Sequence, residues 1–190
     1  MTLVAPVRPR LRASGGRDEA ALIRQARNGS ADAVETLVRR HWDGAHRTAF
    51  LIVQDTAAAE DIAQEAMLAA VRAIDAFDRR RPFRPWLHRI VVNRSLDSVR
   101  ASRRRPEVSG DPAIAAAEAV PAAAGDTSAE LMAALRSLDP DQRALVVLRH
   151  VLGYRSSELA GMLGLPAATV RTRLARAMHQ LRSLLEGEDG

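Results

Sequence analysis

Between residues 153 and 174 the chain runs Gly153-Tyr154-Arg155-Ser156-Ser157-Glu158-Leu159-Ala160-Gly161-Met162-Leu163-Gly164-Leu165-Pro166-Ala167-Ala168-Thr169-Val170-Arg171-Thr172-Arg173-Leu174. Ser156 is placed to cap a helix of barely two turns, with Leu159, Ala160 and Leu163 facing a core. Gly164 supplies a left-handed turn, and a second helix starts near Pro166 or Ala167. Two short helices about a glycine turn form a helix-turn-helix. The second helix buries Val170 and Leu174 and carries small or polar residues at its head, while Arg171, Arg173 and Arg176 point outward with donors that suit phosphates and guanine edges. The candidate contacts to duplex DNA are therefore Ser156, Ala167, Ala168, Thr169, Arg171, Thr172, Arg173 and Arg176. The plainer alternative is a helical hairpin that only packs.

Order resumes ahead of this segment at Ser128, with Leu131, Leu135 and Leu138 leading to Asp139-Pro140, where a helix begins whose inner face holds Ala144, Leu145, Val147 and Leu148. Gly153 stops it. These elements make a second domain over 128–185, followed by a tail at 186–190. Residues 106–127 are Ala, Pro, Gly and acid with almost no large apolar side chain, which reads as a flexible linker with weak helical tendency near 113–119.

The first domain spans 18–105. Asp18 opens a short helix with Ala21, Leu22 and Ala26 inward, closed by Asn28-Gly29. Ser30 caps a second helix bearing Val34, Leu37, Val38, Trp42, Ala45, Ala49, Phe50 and Val53, which Gly44 is expected to bend. Asp55 caps a third, with Ile62, Ala66, Ala69, Ala70 and Ala73 on one stripe. Pro82 interrupts helix, and Pro85 fits the first position of a fourth helix reaching about Arg103, with Leu87, Ile90, Val91 and Leu96 inward and Arg89, Asn93 and Arg100 on a polar stripe. Residues 1–17 lack periodicity and read as a disordered basic arm.

Composition agrees with an all-α fold of two small helical domains. Aromatic residues are only 3% of the 190, and Ala, Leu and Arg abound. Absence of Cys excludes disulfides, thiolate zinc sites and a cysteine nucleophile. The five His lack metal-ligand spacing and no phosphate-binding glycine pattern is present, so the expectation is no enzyme, no metal and no cofactor. No apolar run approaches the ~18 residues of a membrane span, and a soluble, cytoplasmic protein without membrane insertion is expected.

The net charge of +5 comes from 28 Arg, with no Lys, against 23 acids. Its distribution is uneven: ten Arg oppose one Asp over 79–105 and seven Arg oppose two acids over 141–182, with acidic stretches at 18–78 and 106–130. Two basic blocks suggest two contacts with a polyanion. In the first, the arginines at 79–81 flank Phe83 and Trp86, a pattern that fits unstacked single-stranded bases. Phe83 and Trp86 could instead simply be core, a reading that for Trp86, beside the inward Leu87, is as good as the first.

At this point the chain resembles a known family. The run Asp55-Thr56-Ala57-Ala58-Ala59-Glu60-Asp61-Ile62-Ala63-Gln64-Glu65, continued through Phe77-Asp78 and Phe83-Arg84-Pro85-Trp86-Leu87-His88-Arg89-Ile90-Val91-Val92-Asn93 to Asp97, is similar to region 2 of the extracytoplasmic-function (ECF) group of bacterial sigma factors. Residues 138–181, with Leu138-Asp139-Pro140-Asp141-Gln142-Arg143 and the helix-turn-helix, resemble region 4. The resemblance implies an alternative-type initiation subunit that binds core RNA polymerase through its clamp coiled coil and flap, directs it to promoters and assists melting. It implies core binding by Asp61, Gln64, Glu65 and Leu68, and minus-10 and melted-strand contacts from Arg79, Arg80, Arg81, Phe83, Arg84, Trp86, Arg89, Asn93 and Arg100. The duplex contacts named above would then read the minus-35 element, and a cognate anti-sigma factor is an expected partner. The linker is expected to thread toward the active-centre cleft, although an acidic tether would have the same composition. A rival reading is a one-component helix-turn-helix regulator with an N-terminal sensor or dimerisation domain.

Overall fold

In the computed structural model, which describes residues 15–104 and 129–186, three helices start where Ser30, Asp55 and Asp139 offer a side-chain oxygen to unpaired first amides. Helix α1 (Gly15–Arg27) turns through Asn28 and Gly29, the latter at φ 87°, into α2 (Ala31–Val53), where Ser30 Oγ accepts from the Ala33 amide. Gln54 then adopts a left-handed conformation, and Asp55 Oδ1 accepts from Ala58 N at 2.8 Å to start α3 (Thr56–Arg72). A 3-10 turn (Ile74–Ala76) and the loop at 77–82 lead to α4 (Phe83–Arg104). The second half holds α5 (Ala129–Ser137), α6 (Pro140–Val146) widening into a π-helical turn (Val147–Val151), α7 (Ser156–Leu163) and α8 (Ala167–Glu186). No strand occurs among the described residues, so the all-α expectation holds.

In the first half α2, α3 and α4 pack around Leu51, Ile52, Ile62, Leu87, Val91 and Val92, with α1 laid on α2 through Ile23 and Ala26. The second half buries Leu135, Leu138, Leu145, Leu148, Leu159, Val170 and Leu174. Each such aliphatic side chain contributes about 1.5–3 kcal/mol by leaving water.

Several local expectations are corrected. Helix α1 begins at Gly15, and Ile23 is buried where Leu22 is only half-buried. Helix α2 runs unbroken through Gly44, whose missing Cβ would lie 3.8 Å from His88 Nε2. Pro85 is the third residue of α4, not the first, which is tolerated because first-turn amides need no helical acceptor. Leu131 is 42% exposed, and Met132 and Ala134 take the inner face of α5 with Leu135. Ser156 lies inside α7: Arg155 is the cap residue, and its amide donates to Glu158 Oε2 at 2.6 Å. The expected arm over most of 1–17, the linker at 106–127 and most of the 186–190 tail fall outside the described residues.

The halves are packed on one another, α2 and α4 against α6 and α7. Arg143, 7% exposed, donates to Leu135 O (2.7 Å), Arg136 O (3.1 Å) and Leu138 O (3.2 Å) in its own half and to Ile52 O (2.7 Å) in the other. Gln54 reaches across as well: its Nε2 donates to Met132 O at 3.1 Å while its Oε1 accepts from Arg136 Nε at 3.1 Å.

Candidate nucleic-acid interfaces

The helix-turn-helix forms as its sequence requires. Gly164 sits at φ 66°, a conformation costly for any side-chain-bearing residue, and Leu165 N closes the turn on Ala160 O at 3.1 Å. Leu159, Met162, Val170, Leu174 and Ala177 lock α7 and α8 into the domain, which leaves Ala168, Arg171, Thr172 and Arg176 along one exposed stripe of α8. Arg171 and Arg176 enter no ion pair among the described residues, so their donors are free for a polyanion. Thr172 Oγ1 donates to Ala168 O at 3.0 Å. Ser156, Ala167 and Thr169 are half-buried at the near edge of the same surface.

Arg173 faces elsewhere. It is half-buried and lines a cleft of about 500 Å³ between the halves, together with Asn93, Asp97, Arg100 and Asp141 over an apolar floor that includes Leu96 and Leu145. Arg100 is held there by Asp97 Oδ1 at 3.4 Å and Asp141 Oδ1 at 3.1 Å. Three residues assigned from sequence to two separate DNA contacts, Asn93, Arg100 and Arg173, thus share one cleft.

The aromatic and basic segment divides into a buried part and an open one. Phe83, 4% exposed, is a core residue, so the expectation that its ring stacks on bases is corrected. It sits edge-on to Phe77 at 5.5 Å and is tilted against Trp86 at 5.4 Å and His41 at 5.1 Å. Of the two sequence readings of Phe83, its burial fits the core one. Trp86 is half-buried, its ring 5.0 Å from Phe77, which leaves part of its surface for a base. Arg79, Arg80 and Arg81 are exposed. Asp78 takes Arg80 as a two-pronged pair (3.0 and 3.1 Å) with Arg81 at 3.9 Å, and hydrogen bonds from Arg80 hold its carboxyl below the usual range. Arg84 is half-buried and Arg89 exposed.

On α3, Asp61, Gln64 and Glu65 are exposed and Leu68 keeps 48% of its surface in water, an isolated apolar side chain on an acidic face. Glu65 pairs with Arg94 of α4 across a cleft of about 460 Å³ that Asp61 also lines. Among the described residues no cluster of three or more His, Cys, Asp or Glu could hold a metal, and no helix is long and apolar enough to cross a membrane.

Sequence reasoning missed the residues that join the halves. His88 is 2% exposed and stands edge-on to Tyr154, with burial as the main cause of a pKa lowered to about 3. Neither it nor Arg143 carries a local signal for that join, since the partner of His88 lies 66 residues away and the cross-half partner of Arg143 lies 91 away.

Comparison with known proteins yields two family matches, sigma-70 region 2 over residues 37–105 and sigma-70 region 4 over residues 128–181. The ECF RNA polymerase sigma factor SigM of Mycobacterium tuberculosis (strain H37Rv) is 36% identical over 174 residues, covering 90% of this chain and 88% of SigM. The solved structure of CnrH in complex with the cytosolic domain of CnrY superposes with a TM-score of 0.64 at 28% identity, over 89% of this chain and 97% of CnrH. The sigma factor RpoE of Bartonella quintana, solved with the anti-sigma factor NepR, shares the fold with a TM-score of 0.63 at 22% identity, over 80% of this chain and 96% of RpoE.

Proposed function

The chain belongs to the ECF group of the sigma-70 family of RNA polymerase sigma factors, and from that membership we propose how its surfaces divide the work of initiation. It is an alternative sigma factor that directs core RNA polymerase to promoters. Sigma factors are non-catalytic initiation factors; we assign this chain no reaction of its own, the chemistry of RNA synthesis lying with the polymerase, in the cytoplasm.

Residues 18–105 form the unit that engages core polymerase and the minus-10 element, and residues 128–185 the unit that reads minus-35. Arg171, Thr172 and Arg176, with Ala168 allowing close approach, contact the minus-35 duplex; Ser156, Ala167 and Thr169 flank them. The observation that carries this reading is the unpaired, solvent-facing Arg171 and Arg176 on the second helix of a helix-turn-helix. Arg79, Arg80, Arg81 and Arg84 hold the backbone of the melted minus-10 strand, with Trp86, Arg89 and Asn93 beside it. Asp61, Gln64, Glu65 and Leu68 bind core polymerase. An anti-sigma factor is a further partner, a reading supported by the CnrH and RpoE complexes.

Elements centred about 25 base pairs apart lie roughly 85 Å apart along B-form duplex, at about 3.4 Å per pair. Asn93, Arg100 and Arg173 around one cleft cannot serve both at once, so the halves separate when core polymerase engages them. The test is DNase footprinting of a promoter with the free chain, with core enzyme, and with both. Protection of both elements only by the combination is expected; the same footprint from the chain alone overturns the reading.

A further inference from the structure

Helix α1 lies ahead of the segment matched as region 2, and its last residue reaches a site of evident importance. Arg27 Nε donates to Ile74 O at 3.0 Å, while Nη2 donates to Asp75 O and, at 3.4 Å, to Phe77 O; Nε also stands 3.8 Å from Asp75 Oδ1. Ile74 opens the 3-10 turn and its carbonyl also accepts from Phe77 N at 3.3 Å, while Asp75 O and Phe77 O lie where the chain leaves helical structure. A planar guanidinium holds its donors in a fixed fork that spans several such acceptors, whereas an ammonium gathers its three donors at one point. The next residues are Asp78 and the exposed arginines at 79–81.

The far end of the same loop is also tied to α1. Glu19 Oε1 is 2.8 Å from His41 Nε2, and the His41 ring packs 5.1 Å from Phe83, the first residue of α4. Between these anchors the loop's own hydrogen bonds all run to Asp78: its Oδ1 accepts from Arg80 N, its O from Arg81 N, and its carboxylate from the Arg80 guanidinium.

We propose that Arg27 is a positioning residue for the melted-strand loop, with α1 as the brace that sets both ends of that loop before DNA arrives. The inference rests on the assignment of residues 79–84 to the melted strand. A loop fixed at its root spends less ordering entropy when its arginines close on a strand.

The test compares holoenzymes carrying the full chain for binding a fluorescein-labelled single strand with the melted minus-10 sequence of a promoter they initiate from. Arg27→Ala is expected to weaken strand binding at least fivefold, Arg27→Lys less, and Glu19→Gln about two- to threefold, with core affinity within twofold of the parent. Because Arg27 touches no phosphate, the salt slope of strand binding stays that of the parent, whereas Arg79→Ala reduces it by about 0.7. Should Arg27→Ala not fold, Arg27→Lys and Glu19→Gln carry the test. Strand binding unchanged in the folded variants, or falling in step with core affinity, overturns the brace. If replacing Arg79 and Arg81 together leaves strand binding intact, the loop assignment itself fails; if that replacement weakens it and Arg27 variants do not, only the brace does.

Discussion

Tyr154 Oη lies 2.8 Å from His88 Nδ1, with the two rings edge-on at 89° and 5.7 Å between centroids, so a buried polar contact joins the half that carries the helix-turn-helix to the half that carries the basic loop, beside the one that Arg143 makes to Ile52 O. Burial also pushes the Tyr154 phenol up to about 12, which keeps it protonated. Tyr154→Phe leaves a buried ring nitrogen without a partner, which costs about 1–3 kcal/mol. Urea unfolding should show that loss; an unchanged midpoint would contradict the clasp.

His88 gives the same contact a pH dependence. Its folded pKa is depressed to about 3, first by burial and then by the nearby Arg84 and His41 charges, while unfolded histidine titrates near 6.5. Between those values the unfolded chain binds a proton that the folded chain does not, so stability is full above about pH 6.5 and declines as pH falls toward 3. Urea midpoints at pH 7.5 and 5 should differ in that direction, and His88→Gln should flatten the difference.

Phe83 and Trp86 should separate on replacement. Phe83→Ala removes a buried ring and costs about 3–5 kcal/mol of stability. Trp86→Ala, at a half-buried position, should slow promoter opening on duplex DNA more than binding to a template with a pre-formed bubble. Thermal melting and open-complex kinetics read the two effects; equal losses on duplex and bubble make Trp86 a packing residue.

Much of this was legible in local sequence. Ser30, Asp55 and Asp139-Pro140 marked helix starts because each answers unpaired amides within three residues, and Gly164 marked the turn because a left-handed residue there favours glycine. Ser156 misled because the helix begins one residue earlier than its hydroxyl suggests, with Arg155 at the cap and Glu158 answering the Arg155 amide. Packing of the halves was not legible at all. It depends on single contacts spanning 66 residues for His88 with Tyr154 and 91 for Arg143 with Ile52, and neither leaves a periodic trace.

Arg171→Ala and Arg176→Ala should each reduce minus-35-dependent initiation, by about 1–3 kcal/mol where the contact is bidentate to a base and with a reduced salt slope where it is to phosphate. Arg173→Ala tests the cleft as well as DNA, because Arg173 is half-buried there beside Asp97. Abortive initiation across a salt series distinguishes the cases, and parental rates in all three variants would remove the minus-35 assignment.

Leu68→Asp should weaken core polymerase binding at least tenfold while changing the unfolding free energy by less than about 0.5 kcal/mol, since nearly half of that side chain is already in water. Fluorescence anisotropy with labelled core enzyme checks the first quantity and urea unfolding the second.

Run-off transcription with purified core polymerase on a library of genomic fragments, with and without this chain, bears most directly on the assignment as a whole. The account predicts discrete new start sites preceded by a shared pair of minus-10 and minus-35 sequences, which disappear together in the Arg171→Ala, Arg176→Ala double variant. An identical set of transcripts with and without the chain would contradict it.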